Sequence, residues 1–139
     1  MDNSRKTVSM MTTSVLNLLV KGRIPSKKNS RNLFVRGGKL FNIPSKEYAA
    51  WHKTAILQLA APKTASEIKW SKCKLAFWAP DKRAADLSNK TESIMDLLVD
   101  AGVIEDDNWW VIGKLELTFM GVDKLNPRCE ITLLEFQED

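Results

Sequence analysis

A strand–helix–strand succession between residues 70 and 119 is the feature that most limits what this chain can fold into. The run WSKCKLAFWA (70–79) alternates and predicts a strand with Leu75 and Phe77 on one face. A helix is predicted over roughly 88–101, because apolar residues recur there at helical spacing before a terminating Gly102. The alternating tract WWVIGKLELTF (109–119) predicts the second strand.

Three further segments complete the expected architecture. Residues 13–21 and 128–136 predict strands, and a helix is predicted from Ser45, its N-cap, to just before Pro62. The basic loop 22–43 contains a candidate hairpin turning at Gly37-Gly38. The order β-α-β-α-β-β predicts an α+β fold: a four-stranded mixed sheet with helices on one face. One domain is expected over 13–139, after a flexible N-terminal tail at 1–12.

The composition indicates a chain that folds in water and does not span a membrane. Of the 139 residues, 44% are hydrophobic, which is enough for one core. No apolar run has the length of a membrane span, and the first 20 residues lack a convincing signal peptide. A soluble, cytoplasmic protein without a membrane contact is therefore expected. Cys73 and Cys129 lie in strand-like runs and are predicted to be buried free thiols.

The charge distribution is more informative than the net charge of +4. Residues 1–53 contain 11 of the 21 Lys and Arg residues but only two acids, which leaves this part at +9 and the rest at −5. Such asymmetry indicates a basic surface for a polyanion beside a separate acidic site. A solvated basic loop would give the same pattern.

The stretch Ala79–Trp110 contains the acidic residues that matter most. Asp86 stands at the start of the predicted helix, Glu92 in its first turns, and Asp106 and Asp107 after it. If the first strand's end, the helix start and the next strand's start meet at one sheet edge, these carboxylates converge on one cation. Mg²⁺ prefers such oxygen ligands. Helix-capping and turn roles explain the same acids on local physics alone, including a capping-box pattern of Asn89 with Glu92.

The pattern P-D-K-R-x-x-D-L-x-N, followed by a helix ending D-x-L-x-x-A-G and then D-D, resembles the RusA family of Holliday junction resolvases. The resemblance implies a small homodimeric, Mg²⁺-dependent endodeoxyribonuclease of recombination and repair, often prophage-encoded. It also implies that Mn²⁺ can replace Mg²⁺, that the products carry 5′-phosphate and 3′-hydroxyl ends, and that no small-molecule cofactor is needed. Asp86 and Asp107 match the first and third catalytic aspartates, with Asp106 beside the latter, and Asn89 matches the family amide.

Two positions depart from the family pattern. Ser88 stands where the family has its second aspartate, and Glu92 where it has a catalytic lysine. Positions 88 and 92 share a helix face, so Glu92 is a candidate replacement for the missing carboxylate. The resemblance therefore gives catalytic candidates Asp86, Asp107 and Glu92, with Asp106 as a further metal ligand. Candidate DNA contacts are Lys27, Lys28, Arg31, Arg36, Lys39, Lys82, Arg83 and Lys90, the last three also being candidates to replace the lost lysine.

The expected function is resolution of four-way DNA junctions by a homodimer in a bacterial or phage-infected cell. The alternatives are a branched-DNA-binding protein without cleavage, favoured by Ser88 and Glu92, and a nuclease acting on flaps or forks. Trp109 and Trp110 are expected in the core or in a dimer interface. His52 is interpreted as a surface or partly buried helix residue without a chemical role. Asp96 and Asp100 are expected to be solvated helix residues, with Asp96, one turn after Glu92, as a possible neighbour of the metal site.

Overall fold

A computed structural model of the protein describes residues 10–26, 31–59, 61 and 65–138. Two helices and two sheets account for most of this part of the chain. Their bounds, in chain order, are β1 (Met10–Lys21), β2 (Arg31–Arg36), β3 (Lys39–Pro44), α1 (Lys46–Gln58), a 3₁₀ turn (Ala65–Glu67), β4 (Lys72–Ala79), α2 (Leu87–Asp100), β5 (Lys114–Val122) and β6 (Arg128–Glu138).

The main sheet has the strand order β1-β6-β4-β5. Strand β6 is antiparallel to both β1 and β4, whereas β4 and β5 are parallel and connected through α2. The predicted four-stranded mixed sheet and the order β-α-β-α-β-β are confirmed. The candidate hairpin is also confirmed, since β2 and β3 pair around Gly37 and Gly38. Both glycines have positive φ (60° and 79°), which a two-residue hairpin turn of this kind requires.

One face of the main sheet carries the core. On β4, Cys73, Leu75 and Phe77 are buried in alternation. They pack in one cluster with buried residues of β6 and with Ile94 and Leu97 of α2. The opposite face of the same strands stays open, as exposed Lys74 shows. The helices therefore lie on one face, as expected, and both cysteines are buried free thiols.

Helix α1 begins as predicted. Ser45 is its N-cap, and the Ser45 hydroxyl accepts a hydrogen bond from the Tyr48 N–H at 3.1 Å. Only Tyr48 and Ala55 of this helix are buried. Trp51 and Ile56 pack partly against the core. Helix α1 therefore packs against the core through a narrow apolar strip.

The predicted start of the strand over 109–119 is wrong. Strand β5 begins at Lys114, because the chain turns over 108–112. The Asn108 carbonyl accepts hydrogen bonds from the N–H groups of Val111 and Ile112, and the Asn108 side chain accepts one from Trp110. Trp109 and Trp110 are 79% and 89% exposed, so the core alternative is wrong for both, and a dimer interface stays a prediction.

The N-terminal boundary also differs from the expected one. Strand β1 begins at Met10, within the last three residues of the predicted tail, and residues 1–9 lie outside the described part. No helix in the described ranges is long and apolar enough to cross a membrane.

Candidate functional site

Asp86 is the N-cap of α2. Its Oδ1 accepts hydrogen bonds from the Ser88 N–H at 3.0 Å and from the Ser88 hydroxyl at 2.7 Å. The capping interpretation is therefore confirmed for Asp86, while the capping box centred on Asn89 is wrong, since Asn89 lies inside the helix. Asp86, Ser88 and Glu92 are exposed, and Asn89 is partly buried.

Asp106 organises the turn that follows α2. Its Oδ1 accepts the Asp107 N–H at 2.8 Å, and its Oδ2 accepts the Asn108 side-chain amide at 2.9 Å. These hydrogen bonds lower the pKa of Asp106 because they stabilise its charged form, and the bond from the Asp107 backbone N–H has the largest effect. The turn role is thus confirmed for Asp106. Asp107 is exposed at the same turn.

The predicted acids do not form one cluster within a single chain. Because β4 and β5 are parallel, the C-terminal end of β4 and the N-terminal start of β5 lie at opposite ends of the two strands. Asp86 follows β4 and precedes α2, whereas Asp106 and Asp107 follow α2 and precede β5. The expectation that these segments meet at one edge is therefore wrong. Among the described residues, no three of the predicted carboxylates bring ligand atoms within 4.8 Å of one another.

A cleft of about 450 Å³, called here the basic cleft for the cations at its rim although most of its lining residues are apolar, lies at the ends of β4 and β5, next to the start of α2. Four cationic side chains and one acid line it: Arg23, Lys82, Arg83, Lys90 and Asp81. Three of these cations were predicted DNA contacts, and Arg23 was missed. Its only sequence signal is its place in the basic loop.

Three residues of this cleft have a shifted pKa: Asp81, Lys90 and Arg83, whose pKa is raised by its hydrogen bonds to Asp81. Arg83 donates from Nε and Nη2 to Asp81 Oδ2, at 3.1 and 2.9 Å, and this pairing lowers the pKa of Asp81. Lys90 Nζ donates to the Ile24 carbonyl at 2.6 Å. Burial lowers the pKa of Lys90, and the nearby guanidinium groups of Arg23 and Arg83 lower it further. The hydrogen bond to Ile24 holds the Lys90 ammonium group in place at the cleft.

The remaining predicted DNA contacts lie in or before the hairpin. Lys27 and Lys28 lie outside the described residues. Arg31, Arg36 and Lys39 belong to β2 and β3, and Arg36 pairs with Lys39 beside the turn. The structure describes their backbone but not their side chains.

A second titratable cluster was not predicted. Asp96 and Asp100 were expected to be solvated, with Asp96 a possible neighbour of Glu92. Instead, both carboxylates face His52 of α1, and the Tyr48 hydroxyl donates to Asp96 Oδ2 at 2.8 Å. The i,i+4 spacing of the two aspartates was visible in the sequence, but the approach of His52 depends on how the helices pack.

Comparison with known proteins gives one informative similarity. No protein-family model matches the chain. The chain is 29% identical over 91 residues to the crossover junction endodeoxyribonuclease RusA of Aquifex aeolicus (strain VF5). The match covers 65% of this chain and 71% of that protein. This distant similarity supports the resemblance to the RusA family.

Proposed function

We propose that this protein is a Mg²⁺-dependent, structure-specific endodeoxyribonuclease that resolves four-way junctions in DNA recombination and repair. The observation that carries the proposal is the similarity to a protein named as a crossover junction endodeoxyribonuclease. The exposed acids flanking α2 and the adjacent basic cleft provide the chemistry that such a reaction needs. A prophage origin and a cytoplasmic location stay predictions.

The basic cleft is the proposed place for a DNA phosphate. Lys82 and Lys90 would contact the DNA backbone there, while Arg83 forms an ion pair with Asp81. Lys27, Lys28, Arg31, Arg36 and Lys39 stay predicted phosphate contacts. Contacts to phosphates give affinity and orientation but do not read sequence. Recognition of a branched structure is consistent with such contacts.

The proposed metal ligands are the exposed carboxylates of Asp86, Asp107, Glu92 and Asp106. Carboxylate oxygens suit Mg²⁺, which binds through one or two of them and keeps several waters. A bound Mg²⁺, or Mn²⁺ in its place, would polarise a phosphoryl oxygen and lower the pKa of a water. The full set does not fit one ion within one chain, because α2 separates its members.

We therefore place the site between two copies of the chain, with Asp86 of one facing Asp107 of the other. Strand β5 supports this arrangement, since it is an edge strand of the main sheet. Its side chains Phe119 and Met120 are 57% and 51% exposed, and Trp110 is exposed beside its start. An edge strand has unpaired backbone groups that can pair with a second chain, and exposed apolar side chains can mark a protein–protein contact. A two-fold dimer also suits a substrate that is cut symmetrically.

Cleavage of a labelled synthetic four-way junction, with and without Mg²⁺, tests the function. We expect cutting only with Mg²⁺, and preference over linear and forked DNA. Asp86→Asn and Asp107→Asn are expected to bind the junction and not to cut it. Glu67→Gln, which removes an exposed acid elsewhere, serves as the matched control and is expected to cut normally. Cutting by Asp86→Asn or Asp107→Asn would refute the assigned site.

A second candidate is a junction-binding protein without cleavage. One observation favours it. Ser88 occupies the position of the second carboxylate in the family pattern, and both its N–H and its hydroxyl donate to Asp86 Oδ1. This candidate predicts tight, Mg²⁺-independent junction binding and no products at any Mg²⁺ or Mn²⁺ concentration. The same assay separates the two candidates.

A further inference from the structure

Three side chains of the metal-ligating type meet where α1 contacts α2. His52 Nε2 lies 2.9 Å from Asp100 Oδ2 and 3.7 Å from Asp96 Oδ2. One ligand atom from each of the three residues lies within 4.8 Å of the other two. Asp96 and Asp100 are one helical turn apart on α2, so both carboxylates are presented side by side to the imidazole.

His52 Nε2 is an unusual member of this group. The atom is shielded from solvent; it forms a 2.9 Å ion-pair contact with Asp100 but no contact of hydrogen-bond geometry within the described part of the chain. A shielded polar nitrogen without a hydrogen bond is rare in folded proteins and calls for an explanation.

The distances match those between ligands of one small cation. Two ligands bound to Zn²⁺ at about 2.0–2.1 Å with tetrahedral angles are roughly 3.3 Å apart. The two Nε2–carboxylate distances, 2.9 and 3.7 Å, lie on either side of that value. Asp96 is also held by the Tyr48 hydroxyl, the kind of outer hydrogen bond that orients carboxylate ligands.

We propose that His52, Asp96 and Asp100 bind a first-row transition-metal ion of the Zn²⁺ type, separate from the nuclease site. An imidazole ligand favours such an ion over Mg²⁺. Three protein ligands leave a position for water, which the partly exposed Asp100 allows. The ion would tie α1 to α2. Because α1 follows directly after the hairpin β2–β3, it would also fix the base of that hairpin.

Cobalt binding to the full chain tests this proposal. After removal of metals with a chelator, Co²⁺ is titrated in and its visible absorption is recorded. We expect one tightly bound Co²⁺ per chain, displaced by Zn²⁺, and a Tm raised by Zn²⁺. His52→Gln and Asp100→Asn should each weaken Co²⁺ binding by roughly 10- to 100-fold or more, since even outer partners of metal ligands have effects of that size.

Control variants separate this site from the proposed nuclease site. Asp86→Asn and Asp107→Asn are expected to keep the Co²⁺ spectrum, and circular dichroism checks that every variant is folded. The proposal is overturned if the wild-type chain binds no Co²⁺, or if folded His52→Gln and Asp100→Asn bind it like the wild type. It is also overturned if Asp86→Asn or Asp107→Asn abolishes the spectrum. None of these outcomes depends on whether the protein cuts junctions.

Discussion

Combining two inactive variants gives a sharp test of a site shared between two chains. Asp86→Asn removes a charge at the start of α2 while leaving an oxygen that can still cap the helix. Asp107→Asn removes a charge in the turn after α2. If each metal lies between Asp86 of one chain and Asp107 of its copy, either homodimer loses both sites. A mixed dimer has both substitutions in one site and an intact second site.

The length of α2 separates the two acids of one chain, and the number of intact sites sets the size of the expected effect. Its 14 residues rise about 1.5 Å each, which makes the helix about 20 Å long. Two oxygens bound to one Mg²⁺ at about 2.1 Å are at most about 4.2 Å apart. Acids flanking the two ends of α2 therefore do not share an ion within one chain. With one of two equivalent sites intact, the mixed dimer should nick junctions at about half the wild-type rate.

The assay uses two differently tagged chains, co-expressed and purified through both tags in turn. End-labelled junctions then report single nicks separately from paired cuts. We expect nicks without paired cuts from the mixed dimer and no products from either homodimer. A mixed dimer that does not nick refutes the shared site, provided that a doubly tagged wild-type dimer cuts. An inactive wild-type dimer would refute the nuclease function itself.

Three further predictions concern single side chains. Glu92→Gln should lower the apparent Mg²⁺ affinity and the cleavage rate, if its carboxylate replaces the acid missing at position 88. Lys82→Ala should reduce the slope of log affinity against log salt by about one, as expected for one phosphate contact. Ile94→Ala should lower the free energy of unfolding by about 2–5 kcal/mol, because Ile94 is fully buried in the core.

Each of these predictions has a measurement and a contrary outcome. Wild-type Mg²⁺ dependence in Glu92→Gln would remove Glu92 from the site. For Lys82→Ala, filter binding over a salt series is compared with Lys69→Ala, an exposed lysine outside the cleft, and equal slopes would contradict the phosphate contact. For Ile94→Ala, urea unfolding is compared with Leu57→Ala, which changes an 84% exposed side chain and should cost less than about 0.5 kcal/mol.

Local patterns predicted the elements well because their causes are local. Ser45 begins α1 through its own hydroxyl, and the spacing of Ile94, Leu97 and Leu98 gave the buried side of α2. The start of β5 was predicted too early because the apolar run Trp109–Ile112 leads directly into the alternating residues of the strand. There, hydrogen bonds to Asn108 favour a turn that alternation does not reveal.

The candidate site was predicted residue by residue but not in space. The acids Asp86 and Asp107 were found from their pattern, yet their separation depends on β4 and β5 being parallel. That pairing is a long-range property, and no residue near either acid encodes it. The cluster at His52 was missed for the same reason, since the packing of α1 against α2 brings its members together.

The position of β6 affects how this protein can fold during its synthesis. The last strand to be made lies inside the sheet and pairs with β1 on one side and β4 on the other. At about 5–20 residues per second, the ribosome takes roughly 5–20 s between β1 and β6. During that time the apolar side chains Leu18 and Val20 lack their partner strand. A premature stop codon before β6 would thus remove the strand that pairs with both β1 and β4.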